Sequence, residues 1–124
     1  LNLNNNTKIN YLKLNFDNLN VLNARNISKN ALDSLEFFKL SKLTNLDLSF
    51  NEFNSDLIFK SNLNLRLNDL SLKSVFLGNS SDSFSNLAEL YRIDISHNKF
   101  PQSFSVLFRD SPYLLYLILE NCSI

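Results

Sequence analysis

The sequence predicts an α/β-type solenoid, in which each coil adds one short strand to a concave parallel β-sheet and returns along an irregular or short-helical convex side. Three observations carry this. A pattern of leucines recurs at a nearly constant period through the 124 residues. Leucine and asparagine together exceed a third of the chain, while glycine occurs once and proline twice. Apolar residues also recur between the copies, so that each coil can close on a core shared with its neighbours.

The period is clearest in three ungapped copies of one pattern. They are Leu43-x-x-Leu46-x-Leu48-x-x-Asn51-x-Phe53, Leu90-x-x-Ile93-x-Ile95-x-x-Asn98-x-Phe100 and Leu114-x-x-Leu117-x-Leu119-x-x-Cys122-x-Ile124. A looser copy runs from Leu67 through Leu70 and Leu72 to Val75 and Leu77, with valine at the asparagine position. Looser still are Leu19-x-x-Leu22-x-Ala24-x-x-Ile27 and an opening fragment, Leu1-x-Leu3 followed by Asn6. The central residues Leu22, Leu46, Leu70, Ile93 and Leu117 are 24, 24, 23 and 24 residues apart, and Leu1 precedes Leu22 by 21. Leu12-Lys13-Leu14 also fits the start of the pattern. It lies ten residues before Leu22, too close for a separate coil, so Leu12 is read as core at the back of the coil. Residues 1–124 thus form a single array of about six repeats, expected to be a segment of a longer one.

In each copy the two apolar residues of L-x-L fall on one side of a strand and the residue between them on the other. Strands that recur every coil and are joined on one side pair in parallel with their sequence neighbours. One coil cannot bury its own leucines, but a stack can. Returns are expected to supply Leu32, Phe37 and Leu40 after the second strand, Phe84 and Leu87 after the fourth, and Phe104 and Phe108 after the fifth. The return after Leu46 is less regular, with Leu57, Phe59, Leu63 and Leu65 as candidates. Asn6, Asn51, Asn98 and Cys122 share the position where the chain leaves the strand and turns inward. An amide side chain there both donates and accepts, and so can bond the backbone of adjacent turns. Cys122 holds the position as a small apolar residue without that capacity.

Composition and charge remove several function classes. Twelve basic and twelve acidic residues cancel, with no run of either sign, so no nucleic-acid footprint or polybasic membrane patch is expected. The longest apolar run, Tyr113 to Leu119, is strand length rather than membrane-spanning length. The start of the chain lacks the basic and apolar regions of a signal peptide. A single cysteine permits no internal disulfide and no cysteine-rich cap. His97 is the lone histidine, without a nearby cysteine or second histidine to make a metal pair. Gly78 alone cannot build a phosphate loop, and no serine sits in a nucleophile motif. The expectation is a non-enzyme without cofactor or metal.

Binding is expected on the concave face, among residues beside the strand leucines. The face is polar through Asn20, Asn23, Asn45 and Asp69, and gathers aromatic and apolar residues toward the C-terminus. The residues singled out are Phe50, Tyr91, Arg92, Asp94, His97, Tyr116, Ile118 and Glu120. Asp94 is read as an ordinary surface residue of that face. Tyrosine and arginine are frequent anchors of protein interfaces, which centres the patch on Tyr91, Arg92, Tyr116 and Ile118. The competing reading is that a neighbouring coil or a cap covers Leu115 and Ile118.

On these residues the chain resembles the leucine-rich repeat family over essentially its whole length. Its period is similar to the 24-residue repeats of Toll-like receptor and related extracellular receptor or adhesion ectodomains. Ser49-Phe50-Asn51 and Ser96-His97-Asn98, each after L-D-L or I-D-I, look like their strand-to-turn segments, and Phe37-x-x-Leu40-x-x-Leu43 like their return. The resemblance implies a horseshoe that recognises a protein or microbial ligand on its concave face or flank. It also implies an extracellular or secreted location, and receptor dimers in a longer chain. It departs from the family's pattern in lacking cysteine caps, a span and a signalling domain. An intracellular scaffold or substrate adaptor, hence a cytoplasmic protein, is the alternative, because such arrays share this spacing. Four N-x-S/T sequons, at Asn5, Asn26, Asn79 and Asn121, are candidate glycosylation sites. Asn5, Asn26 and Asn121 each directly precede the asparagine-ladder position, where glycans would obstruct the concave face. A secreted form is expected to carry glycans there and to bind through its flank; mass spectrometry of native protein finding these three sites bare would refute this.

Overall fold

The protein was analysed as a computed structural model, which describes residues 1–8, 18–27, 41–52, 66–75, 87–100, 108 and 111–123. Five three-residue strands are present: β1 (Val21–Asn23), β2 (Asn45–Asp47), β3 (Asp69–Ser71), β4 (Arg92–Asp94) and β5 (Tyr116–Ile118). They form one parallel sheet in sequence order, β1-β2-β3-β4-β5. Among the described residues there is no helix. The expected back-of-coil residues Leu12, Leu32, Phe37, Leu40, Leu57, Phe59, Leu63, Leu65, Phe84 and Phe104 lie outside the described residues, as does the expected convex side.

The register follows the leucine pattern. Leu22, Leu46, Leu70, Ile93 and Leu117 are opposite one another across all four pairings. A parallel register that aligns like with like lets each leucine pack on the leucine of the next strand. Leu22, Leu70 and Ile93 are fully buried, and so are the second apolar positions Ala24, Leu48, Leu72 and Ile95. Leu43, Leu67, Leu87 and Leu90, from the segments leading into the strands, close the same core. Leu3, Phe108 and Leu114 pack against its margin. Each fully buried leucine side chain contributes about 1.5–3 kcal/mol relative to exposure. The opening fragment joins the same stack. Asn2 bridges to Asn23 in parallel, and the Leu3 N–H donates to the Asn23 carbonyl at 2.7 Å. The short 21-residue step therefore still places a coil beside β1.

After each strand one residue takes a left-handed conformation: Asn5, Asn26, Phe50, Ser74, His97 and Asn121, with φ between 48° and 62°. That conformation turns the chain inward and keeps its N–H aimed along the stack. The N–H of Asn5 donates to the Arg25 carbonyl, Asn26 to Ser49, Phe50 to Lys73, Ser74 to Ser96 and His97 to Glu120, at 2.7–3.1 Å. The intercoil backbone bonds thus continue through the turn. Asparagine and serine tolerate positive φ because a short polar side chain bonds locally, whereas phenylalanine is strained there.

Two asparagines close the turns from inside. The Asn51 amide donates to the Ala24 carbonyl at 2.7 Å and to the Leu48 carbonyl at 2.8 Å, and its oxygen accepts the Ile27 N–H at 2.8 Å. Asn98 repeats this with the Leu72 and Ile95 carbonyls, both at 2.8 Å, and the Val75 N–H at 2.7 Å. Both are buried. Asn6 is exposed and, among the described residues, bonds within its own turn, to the Leu3 and Asn4 carbonyls. Cys122 differs from the apolar role expected of it. It is half-buried, and its thiol donates to the Ile95 carbonyl at 3.4 Å, the same intercoil contact in weaker form. Replacing Asn51 by alanine leaves two carbonyls and an N–H buried without this partner, and is expected to cost about 1–3 kcal/mol. Chemical denaturation would measure it, and an unchanged midpoint would contradict this account of the turn.

Candidate functional site

Because the strand leucines face the core, the residues on either side of them face away from it. Register sets these in two rows across the sheet: Val21, Asn45, Asp69, Arg92, Tyr116, and Asn23, Asp47, Ser71, Asp94, Ile118. Over β1 to β4 this open face holds a depression of about 330 Å3. Its charges are paired across coils. Lys73 Nζ lies 2.9 Å from Asp94, Arg92 lies 3.0 Å from Asp69 and 3.9 Å from Asp94, and Arg25 lies 3.6 Å from Asp47. Three cations thus face three carboxylates, so this part of the face is polar but locally neutral.

Asp94 is not the surface residue expected from the sequence. Its side chain is buried beneath Lys73 and Arg92, and one carboxylate oxygen accepts both the Ser96 hydroxyl at 2.7 Å and the Ser96 N–H at 3.2 Å. Burial acts to raise its pKa, but the Lys73 ammonium and the two Ser96 donors outweigh it, and the carboxyl is held below the usual aspartate value. Ser49, likewise placed on the open face by the strand pattern, is buried. Its hydroxyl contacts the Ser71 hydroxyl at 2.9 Å and accepts the Lys73 N–H at 3.1 Å.

These contacts reveal a second period that the leucine pattern hides. Ser49 and Ser96 each accept an N–H from the following coil, Lys73 and Glu120 respectively, while Asn51 and Asn98 bond the preceding coil. The coils of β2 and β4, L-D-L-S-F-N and I-D-I-S-H-N, therefore tie both neighbours. The coils of β1 and β3, L-N-A-R-N-I and L-S-L-K-S-V, carry the cations that pair with Asp47 and Asp94. From β1 to β4 the pattern therefore repeats every second strand; the segment of β5, L-I-L-E-N-C, carries neither the aspartate–serine pair nor a cation. The signal was present in the sequence as Asp47 with Ser49 and Asp94 with Ser96, and as Arg25 and Lys73 in the copies before them.

Toward β5 the open face changes character. Tyr91 and Tyr116 meet edge to face, with ring centres 5.4 Å apart and planes at 67°. Both are about half exposed, and Leu115 and Tyr113 beside them are exposed further. The bond to Tyr116, together with local desolvation, holds the Tyr91 hydroxyl above its usual pKa. Arg92 adjoins this pair in β4, and the half-buried Ile118 lies in β5. The structure therefore brings Tyr91, Arg92 and Tyr116 together, with Ile118 on the same strand as Tyr116. His97 and Glu120 are exposed at the turns below, joined by a backbone bond of 2.8 Å from the His97 N–H. Phe50 does not belong to this patch. It sits at the turn after β2, with the Arg25 guanidinium 5.1 Å over its ring. Among the candidate glycosylation sites, Asn5, Asn26 and Asn121 are exposed at the left-handed position of their turns, and Asn79 lies outside the described residues. Among the described residues no group of three or more histidine, cysteine, aspartate or glutamate side chains could hold a metal ion. No described helix is long and apolar enough to cross a membrane.

No family model, curated protein or solved structure matches the chain.

The depressed pKa of Asp94 fixes the sign of an acid dependence. Its contribution to stability is complete above the unfolded aspartate value of about 3.9 and is lost as pH falls through the lower folded value. Denaturant titrations are therefore expected to show stability falling below about pH 4, with a smaller loss in Asp94→Asn than in the parent chain. An identical acid profile in the variant would remove Asp94 from this role.

Proposed function

We propose that the chain is a leucine-rich repeat solenoid, that its five-stranded sheet forms the concave wall of a horseshoe, and that it acts by binding rather than by catalysis. The parallel sheet in sequence order, one strand per 23- or 24-residue step, supports the architecture. The partner is a protein or microbial ligand that seats on the β4–β5 end of the open face. The observation that carries this is the exposed edge-to-face pair of Tyr91 and Tyr116 beside Arg92. Large, conformationally restricted rings offer contact area at low entropic cost, and tyrosine and arginine dominate interface energies. The neutralised β1–β3 region would then supply register, since a partner must match its fixed charges to approach.

The setting proposed is the extracellular side of a receptor of the Toll-like or adhesion type, or a secreted relative. Exposure of the sequon asparagines Asn5, Asn26 and Asn121 favours it, and receptor pairing would belong to the longer chain. Reading the transcript through both ends of this segment tests the setting. An upstream signal segment with a downstream span supports it, and fusion to an intracellular module rejects it. For the surface itself, replacing Tyr91 and Tyr116 together by alanine is expected to weaken a partner seated there by about 2 kcal/mol, or roughly 30-fold, in calorimetric titration. Full affinity in that double variant would exclude the tyrosine pair as the anchor.

A further inference from the structure

A second depression lies at the opposite end of the sheet, on the turns that follow the first coil, β1 and β2. It is an open depression of about 480 Å3, lined among the described residues by Asn4, Asn5, Arg25, Asn26 and Phe50. This volume lies within the range of small-molecule sites, roughly 300–1,000 Å3. We propose that it is a binding site for an acidic sugar, a pyranose bearing a carboxylate such as a uronic acid.

The lining argues for each part of that ligand. Among the described residues its lining holds one cation, Arg25, and no carboxylate, and it is the outward fork of that cation that would meet an anion. Arg25 is held rather than free: its guanidinium stands over the Phe50 ring, and its Nε faces Asp47 at 3.6 Å. That separation is too long for a hydrogen bond, so the planar fork keeps donors for a carboxylate, which it can meet with two parallel bonds. The three amides are partly committed. Asn26 Nδ2 donates to Asn5 Oδ1 at 3.1 Å, and Asn4 Oδ1 accepts the Arg25 N–H at 2.9 Å. With Asn5 and Asn26 unglycosylated, the Asn4 and Asn5 amide nitrogens and the Asn26 oxygen make no side-chain bond among the described residues, which leaves two donor groups and an acceptor for hydroxyls.

Phe50 supplies the apolar surface that the C–H face of a sugar ring needs. It remains 45% exposed with Arg25 on it. At the equivalent position of the other turns stand asparagine, serine and histidine. A bulky side chain at positive φ is disfavoured, and Phe50 does not recover this by core packing, since its ring lies outside the core. A ring kept on the surface at that cost, under a guanidinium and beside open amides, has the character of a recognition platform. The site shares no residue with the Tyr91–Tyr116 patch and stands independently of it.

The test uses the full 124-residue chain produced in a bacterium that adds no N-linked sugar, so that Asn5 and Asn26 are bare. Amide resonances are followed during titration with glucuronate, glucose and acetate. Glucuronate is expected to shift the amides of Asn4, Asn5, Arg25, Asn26 and Phe50, with an affinity about tenfold above that for glucose or acetate. Arg25→Lys keeps the charge and loses the fork, and is expected to reduce glucuronate affinity severalfold with the remaining spectrum unchanged. Phe50→Leu is expected to weaken glucuronate and glucose together. Equal affinity for acetate would show a simple anion contact and overturn the sugar assignment. Shifts at other residues, no shifts at millimolar glucuronate, or an unaltered affinity in Arg25→Lys would overturn the site.

Discussion

A strand of three residues cannot bury by itself its central apolar side chain and the one that follows the strand, and everything else in this protein follows from how that is met. Leu22, Leu46, Leu70 and Ile93 lie opposite one another in an unbroken parallel register and are almost wholly buried. Any strand that slipped by one residue would turn its leucines outward and its aspartate or asparagine inward. Register is therefore enforced by burial, strand by strand. The residues of the open face then occupy defined rows, and a surface assembled from separate coils acquires a fixed pattern of charge and aromaticity.

The turns keep that register at the edge of the sheet. Each coil leaves its strand through one left-handed residue whose N–H bonds the next coil, from Asn5 through His97. Polar atoms trapped beneath the turn are met by Asn51 and Asn98, and every buried side-chain nitrogen or oxygen among the described residues has a partner. The work is divided unevenly. Alternate coils carry the aspartate, serine and asparagine that bond both neighbours, and the coils between them offer backbone groups and cations. Val75 stands in the asparagine column with its N–H accepted by the Asn98 oxygen, and the Leu48 carbonyl of the preceding turn is met by Asn51.

This division also sorts the surface. Where alternate coils pair their charges, around Asp47, Asp69 and Asp94, the open face is neutral and internally bonded. A ligand there would have to replace existing ion pairs, and the gain would be small. The two ends of the sheet are different. At one, Tyr91 and Tyr116 present half-exposed rings, and at the other Arg25 and Phe50 face a depression whose described lining holds no carboxylate. On the proposed reading, recognition therefore falls to these two stretches, and the paired centre separates them.

Much of the architecture was legible from the chain because it depends on periodicity, a one-dimensional property. The spacing of Leu22, Leu46, Leu70, Ile93 and Leu117 alone determined the number, direction and order of the strands and which side of each meets the core. It also placed Asn51 and Asn98 at the buried turn and Tyr91 beside Tyr116. What it could not determine depends on the distance between side chains of different coils. Asp94 reads as a surface aspartate in its own copy, and only the stack puts Lys73 and Arg92 over it. Cys122 reads as apolar until the Ile95 carbonyl comes within reach of its thiol. Phe50 reads as one more residue of the open face, apart from the Tyr91–Tyr116 patch, and only the turn after β2 puts it under the Arg25 guanidinium. Period specifies the neighbours of each backbone, but burial and pairing depend on three-dimensional reach across coils, which only the tertiary structure decides.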